Sequence, residues 1–191
     1  LEIPYVVGVG EAAFYGPKVD INARNVYGKE DTLVTIQIDQ LLAEKFGMEY
    51  VDSNNQMVTP YIIHRTSLGC YERTLALILE KYAGALPLWM APTQIRILPI
   101  TDNQLEYSEN LKAKLEALGM RVEMDARNET IGYKIRDARM QRIPYMLIIG
   151  DNEVQNGTVS VRNRKQETVD MTVAEFIDKA ANEIATRDLT V

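Results

Sequence analysis

The chain has 191 residues, 46% hydrophobic and 25% charged, a composition typical of a globular protein, and no apolar run approaches the roughly 20 residues of a membrane-spanning helix. One cysteine, Cys70, excludes an intramolecular disulfide and predicts a reducing, cytoplasmic location. The net charge of −6 argues against nucleic-acid binding through bulk electrostatics.

The first 84 residues are predicted to be rich in β-strands. Residues 19–24 alternate apolar and polar side chains with the period of a half-buried strand, and residues 33–38 do so again, with Thr35 and Gln37 on one face. Residues 40–46 predict a short helix. Residues 52–55 then separate two short apolar runs, which is a hairpin signal. Consecutive hairpins predict an antiparallel sheet.

A strand-to-helix corner concentrates the polar chemistry of this half. An apolar strand ends at His64, the only histidine, and the chain turns through Gly69 into a helix that carries Glu72 and Arg73 in its first turns. The run at 75–79 is apolar on all sides, which predicts a helix buried in a core. A guanidinium at such a corner needs a carboxylate or a phosphate as its partner. The alternatives are a ligand phosphate and a structural pair with Glu72 or an aspartate.

The pattern changes after this helix. Residues 84–92 contain two prolines and predict a stiff, extended connector. From residue 93 on, strands alternate with helices, which predicts a mixed sheet flanked by helices. The predicted strands are 94–99, 120–125, 145–149 and 158–162, and the predicted helices have apolar stripes within 107–118, 131–138 and 173–184, the last opened by a capping box at 172–175.

Positive charge is concentrated in the second half. Residues 121–142 contain six basic and four acidic side chains. Any contact with RNA is therefore predicted here, because phosphate binding needs a local excess of lysine and arginine. The alternative for these arginines is a solvated helix face. Three more basic residues follow, Arg162, Arg164 and Lys165.

Five segments together resemble the bacterial threonyl-tRNA synthetase family of class II enzymes. The similarity runs in order along essentially the whole chain, and it combines the single histidine with a glutamate–arginine pair at a helix start. The segments are FYGPKVD at 14–20, TIQID at 35–39, IHR at 63–65 through GCYER at 69–73, KYAGALPLW at 81–89, and DARNE at 125–129 with GYKIR at 132–136.

The resemblance implies two domains. Residues 1–88 would be the C-terminal part of a class II catalytic domain, with a partial antiparallel sheet and the motif 3 helix. Residues 89–191 would be an α/β anticodon-binding domain with a mixed sheet flanked by helices. The activity it implies is the ATP-dependent attachment of threonine to tRNA(Thr).

The resemblance also implies roles for the polar residues of the first half. Arg73 would be the motif 3 arginine that grips ATP phosphate, and Lys18 a second catalytic residue. Tyr15, Gln37 and Glu72 would bind substrate together with Arg73, and a lysine and a glutamine suit a carboxylate and polar groups. The alternative is that Tyr15 packs against its neighbours and Lys18 is solvated.

His64 is implied to be one of three protein ligands of a zinc ion that selects threonine by its amino group and hydroxyl. A neutral imidazole is a standard zinc ligand, whereas a lone histidine is otherwise most simply a satisfied core residue. One ligand cannot build a tetrahedral site, so this chain alone is predicted neither to bind zinc tightly nor to form threonyl-adenylate. The other implied cofactors and partners are ATP with Mg²⁺, threonine, tRNA(Thr) and a second copy in a homodimer.

In the second half, the resemblance implies that five residues read the anticodon of a transfer RNA. Amides, carboxylates and arginines of this kind read the edges of unpaired loop bases. The residues are Asn128, Thr130, Arg136, Glu153 and Arg162.

The chain begins at Leu1 without a methionine, within an apolar stretch, and is interpreted as a piece of a longer protein. The alternative function is a stand-alone, non-catalytic tRNA- or RNA-binding module. A regulatory pseudo-synthetase is disfavoured, because the positions expected to carry chemistry are all present: Tyr15, Lys18, Gln37, His64 and Arg73.

Overall fold

A computed structural model describes residues 3–190. The chain forms two compact units, Leu1–Lys81 and Tyr82–Val191, which are considered separately below. The start of the apolar opening stretch noted in the sequence, residues 1 and 2, lies outside the described residues.

The first unit is built on an antiparallel sheet of three strands in the order β1-β2-β5, as the hairpin signals predict. The hairpin across 52–55 is confirmed as the pair β3-β4. The helix predicted at 40–46 is a single turn. The elements are β1 Lys18–Arg24, β2 Glu30–Asp39, α1 Leu42–Lys45, β3 Tyr50–Val51, β4 Met57–Val58, β5 Ile62–Arg65 and α2 Tyr71–Tyr82.

The register of the sheet places its polar residues on one face. Gln37 lies opposite Lys18 on one side and opposite His64 on the other. Since directly paired residues point to the same face, these three side chains form a row across the sheet. A bulge in the β1–β2 pairing skips Leu33, so that Thr32 pairs with a polar residue of β1 and stays on the polar face.

The expectation that α2 is sunk in a core is wrong. The helix contains no buried residue, and Leu75 and Leu79 are 54% and 42% exposed. Among the described residues of the first unit, only Asp39 and Ala43 are buried. A sheet of three strands and a small hairpin offer too little apolar surface to enclose a helix on all sides.

The connector before the second sheet is not extended as predicted. The backbone N–H groups of Met90 and Ala91 both donate to the carbonyl of Pro87, which closes a turn. Proline favours this because its fixed φ suits a turn position. The Arg121 side chain fastens this turn by donating to the carbonyls of Trp89 and Ala91.

The second unit is a mixed five-stranded sheet in the order β10-β9-β8-β6-β7, as the alternating pattern predicts. Strand β6 pairs in parallel with both β8 and β7, and β7 forms one edge of the sheet. Strand β9 pairs antiparallel with both β8 and β10, and β10 forms the other edge. The elements are β6 Ile95–Pro99, α3 Leu105–Ala117, β7 Val122–Met124, α4 Ile131–Met140, β8 Tyr145–Ile149, α5 Asp151–Asn156, β9 Thr158–Asn163, β10 Thr168–Thr172 and α6 Val173–Ala185.

Helices cover both faces of this sheet. Leu115 of α3 and Phe176 of α6 are fully buried in the larger apolar cluster, whereas Ala138 of α4 belongs to a smaller cluster with Leu98 and Met146. The capping box at the start of α6 is confirmed, because the Thr172 hydroxyl accepts from the backbone N–H of residue 175 and the carboxylate of residue 175 accepts from that of residue 172.

Two elements of the second unit were not predicted. The helix α5 contains one apolar residue, Val154, so it has no periodic stripe. The strand β10 is an edge strand, paired only with β9, and its side chains are mostly exposed. No helix among residues 3–190 is long and apolar enough to cross a membrane.

Candidate functional site

The polar face of the first sheet brings together four of the residues singled out in the sequence. Lys18, Gln37 and His64 stand in one row on β1, β2 and β5, and the Tyr15 hydroxyl donates to Gln37 Oε1 at 2.6 Å. The Tyr15 ring lies 6.1 Å from the imidazole of His64, measured between centroids. The face therefore carries a phenol, an amide, an ammonium and an imidazole within one small area.

Gly16 allows Tyr15 to reach this face. A Cβ on residue 16 would overlap the carbonyl oxygen of Ile38, so only glycine lets the loop before β1 lie this close to β2. The backbone N–H of Gln40 donates to the carbonyl of Tyr15 and holds the loop there. Tyr15 is thereby fixed beside Gln37.

Lys18 is held in an ion pair on the polar face. Its Nζ lies 2.8 Å from Asp20 Oδ2, and Asp20 Oδ1 accepts from the hydroxyl of Thr35. The hydrogen bond from Lys18 lowers the pKa of Asp20, and the same bond raises the pKa of Lys18. The lysine is therefore charged at neutral pH and aligned along the strand.

His64 is not a buried core residue, since its side chain is 44% exposed. Its Nε2 lies 3.0 Å from Oδ2 of Asp39, whose side chain is fully buried. Burial opposes ionisation of Asp39, but hydrogen bonds from the backbone N–H groups of Leu42 and Leu41 and from His64 outweigh it and lower its pKa. Within residues 3–190, no three histidine, cysteine, aspartate or glutamate side chains are grouped so as to hold a metal ion.

The corner before α2 places Arg73 against the start of β2. Its Nη1 donates to the carbonyl of Thr32 at 3.1 Å. Glu72 accepts instead from the thiol of Cys70, at 2.9 Å, and this bond lowers the pKa of Glu72. The structural pair between Arg73 and Glu72 is not formed, and no ion pair in the described part of the chain includes Arg73.

Arg73 and His64 contact opposite ends of β2. Arg73 reaches Thr32, and His64 lies beside Gln37, five residues further along. At about 3.3 Å per residue these contacts are roughly 15 Å apart along the strand. The two side chains thus contact β2 at separate points along the strand.

The second unit contains a cavity of about 200 Å³ lined by four arginines. Arg136 and Arg139 enter it from α4, and Arg162 from β9, where its Nη1 donates to the Thr168 hydroxyl at 2.9 Å. Arg136 and Arg139 form no ion pair within residues 3–190. This is a concave, positively charged surface.

Arg164 is the fourth arginine, and it is the one held most firmly. Its Nε and Nη2 donate to the carbonyl of Arg142, at 2.9 and 2.6 Å. Burial, and then the nearby charge of Arg142, lower the pKa of Arg164 to about 10.

The other three predicted anticodon residues do not line this cavity. Asn128 is exposed in the bend before α4, and Thr130 is the N-cap of that helix, accepting from the backbone N–H of Tyr133. Glu153 Oε2 accepts from the backbone N–H of Gly150 at 2.7 Å.

Two residues at these sites were missed in the sequence. Asp39 follows Gln37 by two positions, so strand alternation places it on the same polar face, and that signal could have identified it. The sequence identifies Arg164 only as one of several basic residues of the second half. Its anchoring to the carbonyl of Arg142, 22 residues away, has no local signal.

Two family models match the chain, one on each unit. Residues 3–82 match the tRNA synthetase class II core domain (G, H, P, S and T), and residues 94–183 match the anticodon binding domain. Together the two matches place the chain in the class II aminoacyl-tRNA synthetase family.

Similar proteins show to which family within this class the chain belongs. Threonine–tRNA ligases of Clostridium perfringens (strain SM101) and Clostridium botulinum (strain Eklund 17B) are 53% and 52% identical to the chain over 189 residues, or 98% of its length. That of Natranaerobius thermophilus is 46% identical over 97% of it. The chain belongs to the threonine–tRNA ligase family, and it spans 29% of the length of each of these relatives.

A solved structure has the same fold. The RNA binding domain of threonyl-tRNA synthetase from Cryptosporidium parvum superposes with a TM-score of 0.80 at 36% identity. The match covers 91% of this chain and 44% of that one.

Proposed function

We propose that this chain is the part of a threonine–tRNA ligase that reads the anticodon of tRNA(Thr) and contributes half of the active site. The domain limits that we assign are residues 1–88 for the catalytic part and 89–191 for the anticodon-binding part. The observation that carries the proposal is the cavity shared by Arg136 and Arg162, on the unit that matches the anticodon-binding family.

The chemistry of the cavity supports RNA binding. Guanidinium groups bind phosphates and base edges through planar, multiple hydrogen bonds. Arg136 and Arg139 are exposed and have no acidic partner within the described residues, so they are available to a ligand. The overall charge of −6 makes such a local positive surface necessary for binding RNA. Asn128, Thr130 and Glu153 are proposed to contact anticodon bases outside this cavity.

The proposal is tested with a fluorescently labelled stem-loop carrying the threonine anticodon. Replacing Arg136 or Arg162 by alanine is expected to weaken binding about tenfold or more. The matched control is Lys114→Ala, which removes one exposed charge on α3 and is expected to change affinity less than about twofold. Equal losses in the control, or no preference for the threonine anticodon over a substituted one, would contradict the proposal.

The first unit is proposed to serve threonine activation. Arg73 would bind ATP phosphate at one end of β2, while Lys18, Tyr15, Gln37 and Glu72 would bind the remaining substrate groups. Four of the five N–H donors of Arg73 have no partner among the described residues, which leaves them for a phosphate. Mg²⁺ would accompany ATP.

His64 is proposed to be a ligand of the zinc ion. It fits that role, because its Nδ1 has no hydrogen-bond partner among residues 3–190 and its side chain is partly exposed. The bound ion would select threonine by its amino group and hydroxyl. A tetrahedral site needs further ligands, which the described residues do not group around His64. The other ligands would therefore come from outside residues 3–190. The further partner proposed is a second copy in a homodimer, and the proposed location is the cytoplasm.

On this proposal the chain alone does not form threonyl-adenylate. An ATP–pyrophosphate exchange assay with threonine is expected to give no turnover above background. Turnover at the rate of an intact ligase would show that the rest of the catalytic domain is not needed.

The second candidate is an RNA-binding module without catalysis. It is favoured by the burial pattern, because both apolar clusters lie in the second unit and the first has two buried residues among those described. The two candidates differ in ATP binding. Saturable binding of ATP with Mg²⁺ that is lost in Arg73→Ala supports the ligase fragment, and its absence supports the module.

A further inference from the structure

Asp39 is the one fully buried ionisable side chain of the first unit's described residues. It ends β2, and its two oxygens have different partners. Oδ1 accepts from the backbone N–H groups of Leu41 and Leu42, both at 2.9 Å, and Oδ2 lies 3.0 Å from Nε2 of His64. A carboxylate that is buried in a unit with almost no core must be held there by these bonds.

The partners of Asp39 decide which ring nitrogen of His64 carries hydrogen. An ionised carboxylate only accepts hydrogen bonds, so the contact requires hydrogen on Nε2. A neutral imidazole has one N–H, and Nδ1 is therefore left with a lone pair. The Tyr15 hydroxyl does not compete for it, since that group donates to Gln37.

We propose that Asp39 is a positioning residue that fixes His64 in the Nε2–H tautomer and keeps the Nδ1 lone pair available to a divalent cation. The inference deepens the proposed function, in which His64 is a zinc ligand. Histidines that bind metals commonly donate their other ring N–H to a carboxylate, which fixes the ring and raises its basicity. Here the carboxylate is itself fixed by two backbone donors, so the ring direction is set before any ion binds.

The single histidine makes the tautomer directly measurable. A long-range ¹H–¹⁵N NMR spectrum of the ¹⁵N-labelled chain contains one imidazole, and it is recorded where the ring is neutral. We expect a protonated Nε2 and an unprotonated Nδ1, with an excess of this tautomer of about tenfold or more. An equal mixture, or hydrogen on Nδ1, would overturn the proposal without recourse to any variant.

Asp39→Asn is the sharpest variant. Its amide oxygen still accepts from Leu41 and Leu42, which keeps the chain end of β2 in place. Its NH₂ group then faces Nε2, which must become the acceptor, so hydrogen is expected to move to Nδ1. Unchanged amide resonances of Ile21 and Val34, which pair across β1 and β2 away from residue 39, would show that the variant is folded. Retention of the Nε2–H tautomer in that folded variant would refute a role for Asp39.

Asp20→Asn is the matched control. It removes the same charge from the same sheet, but Asp20 contacts Lys18 and Thr35 and not His64. The tautomer is expected to be unchanged, and a shift in this control would assign the effect to net charge. The tautomer does not depend on RNA binding. If the chain fails to bind the stem-loop but shows the Nε2–H form, the proposed function is refuted and the role of Asp39 is not.

Discussion

Gly69 lies so close to the backbone of Leu33 that a Cβ on residue 69 would overlap the Leu33 carbonyl oxygen. Leu33 is the residue skipped by the bulge in β2, and Gly69 adopts a left-handed φ of 66° just before α2. The turn that precedes α2 and Arg73 therefore packs directly against the bulge of β2. Both the backbone conformation and the contact require glycine.

Gly69→Ala is therefore expected to destabilise the first unit by about 3 kcal/mol or more, since strain and overlap act together. Gly28→Ala is the matched control, because Gly28 also has a positive φ, of 79°, but nothing lies within 4 Å of its added Cβ. About 1 kcal/mol is expected there. Hydrogen exchange of the β2 amides measures both, and equal effects would disprove the close contact.

The two units are expected to differ in local stability. In the first, only Asp39 and Ala43 are buried among the described residues, whereas Ile95, Leu147 and Phe176 of the second are fully enclosed. Local opening is easiest where few apolar contacts are made. The amides of β2 should exchange at least about 100-fold faster than those of β8. Equal protection of the two strands would show that the first unit is stabilised by something other than its own contacts.

Local patterns predicted the strands well, because they depend on neighbours in the sequence. Alternation at 33–38 placed Gln37 on the polar face, and the register then aligned it with Lys18 and His64. The capping box at Thr172 also marked the start of α6 correctly. These features are set by backbone geometry within a few residues.

Burial and long-range contacts could not be predicted from local sequence patterns. The apolar run in α2 predicted a buried helix, yet burial depends on how much surface the rest of the unit supplies. The pairing of Asp39 with His64 joins residues 25 apart, and the cavity joins Arg136 with Arg162 across two elements. Whether Arg73 has an acidic partner likewise depends on which side chains the fold brings near it.

Asp125 is expected to make the second unit sensitive to acid. It is 6% exposed and accepts two hydrogen bonds from the Arg127 guanidinium, at 2.8 and 2.6 Å. The bonds from Arg127 lower its pKa below the ordinary 3.8. Because the folded-state pKa is the lower one, the stabilisation is fully present above about pH 5 and is lost as the pH falls through the folded value.

Asp125→Asn should therefore lower the free energy of unfolding by about 1–3 kcal/mol at pH 7 and by much less near pH 3. Urea unfolding followed by the single tryptophan, Trp89, measures the difference at each pH. Glu109→Gln is the control, since Glu109 is exposed on α3 and its side chain has no hydrogen bond among residues 3–190. A variant that loses as much stability at pH 3 as at pH 7 would contradict the assigned pKa direction.

Thr130 has a structural role that is separable from its proposed contact with RNA. As the N-cap of α4 it accepts from the backbone N–H of Tyr133. Thr130→Ala should destabilise the second unit by about 1 kcal/mol, whereas Thr130→Ser, which keeps the hydroxyl, should stay within a few tenths. Urea unfolding gives both values. An alanine variant as stable as the wild type would show that the cap does not contribute to the free energy of unfolding.

Arg142 follows α4 with a left-handed φ of 60°, a conformation that favours glycine at the end of a helix. Arg164 holds the backbone carbonyl of this residue, so the anchor does not need the Arg142 side chain. Arg142→Gly is therefore expected to stabilise the second unit by up to about 1 kcal/mol, and it also removes a charge that lowers the pKa of Arg164.

Arg164→Lys should act in the opposite direction. A single ammonium cannot reproduce the two parallel N–H donors on one carbonyl, so a loss of about 1 kcal/mol is expected. If the Arg164 anchor fixes the backbone at residue 142, Arg142→Gly in the Arg164→Lys background should give a smaller gain than in the wild type, since the unanchored loop has relaxed. A double-mutant cycle by urea unfolding measures this coupling, and strictly additive changes would show that the anchor and the left-handed residue are independent.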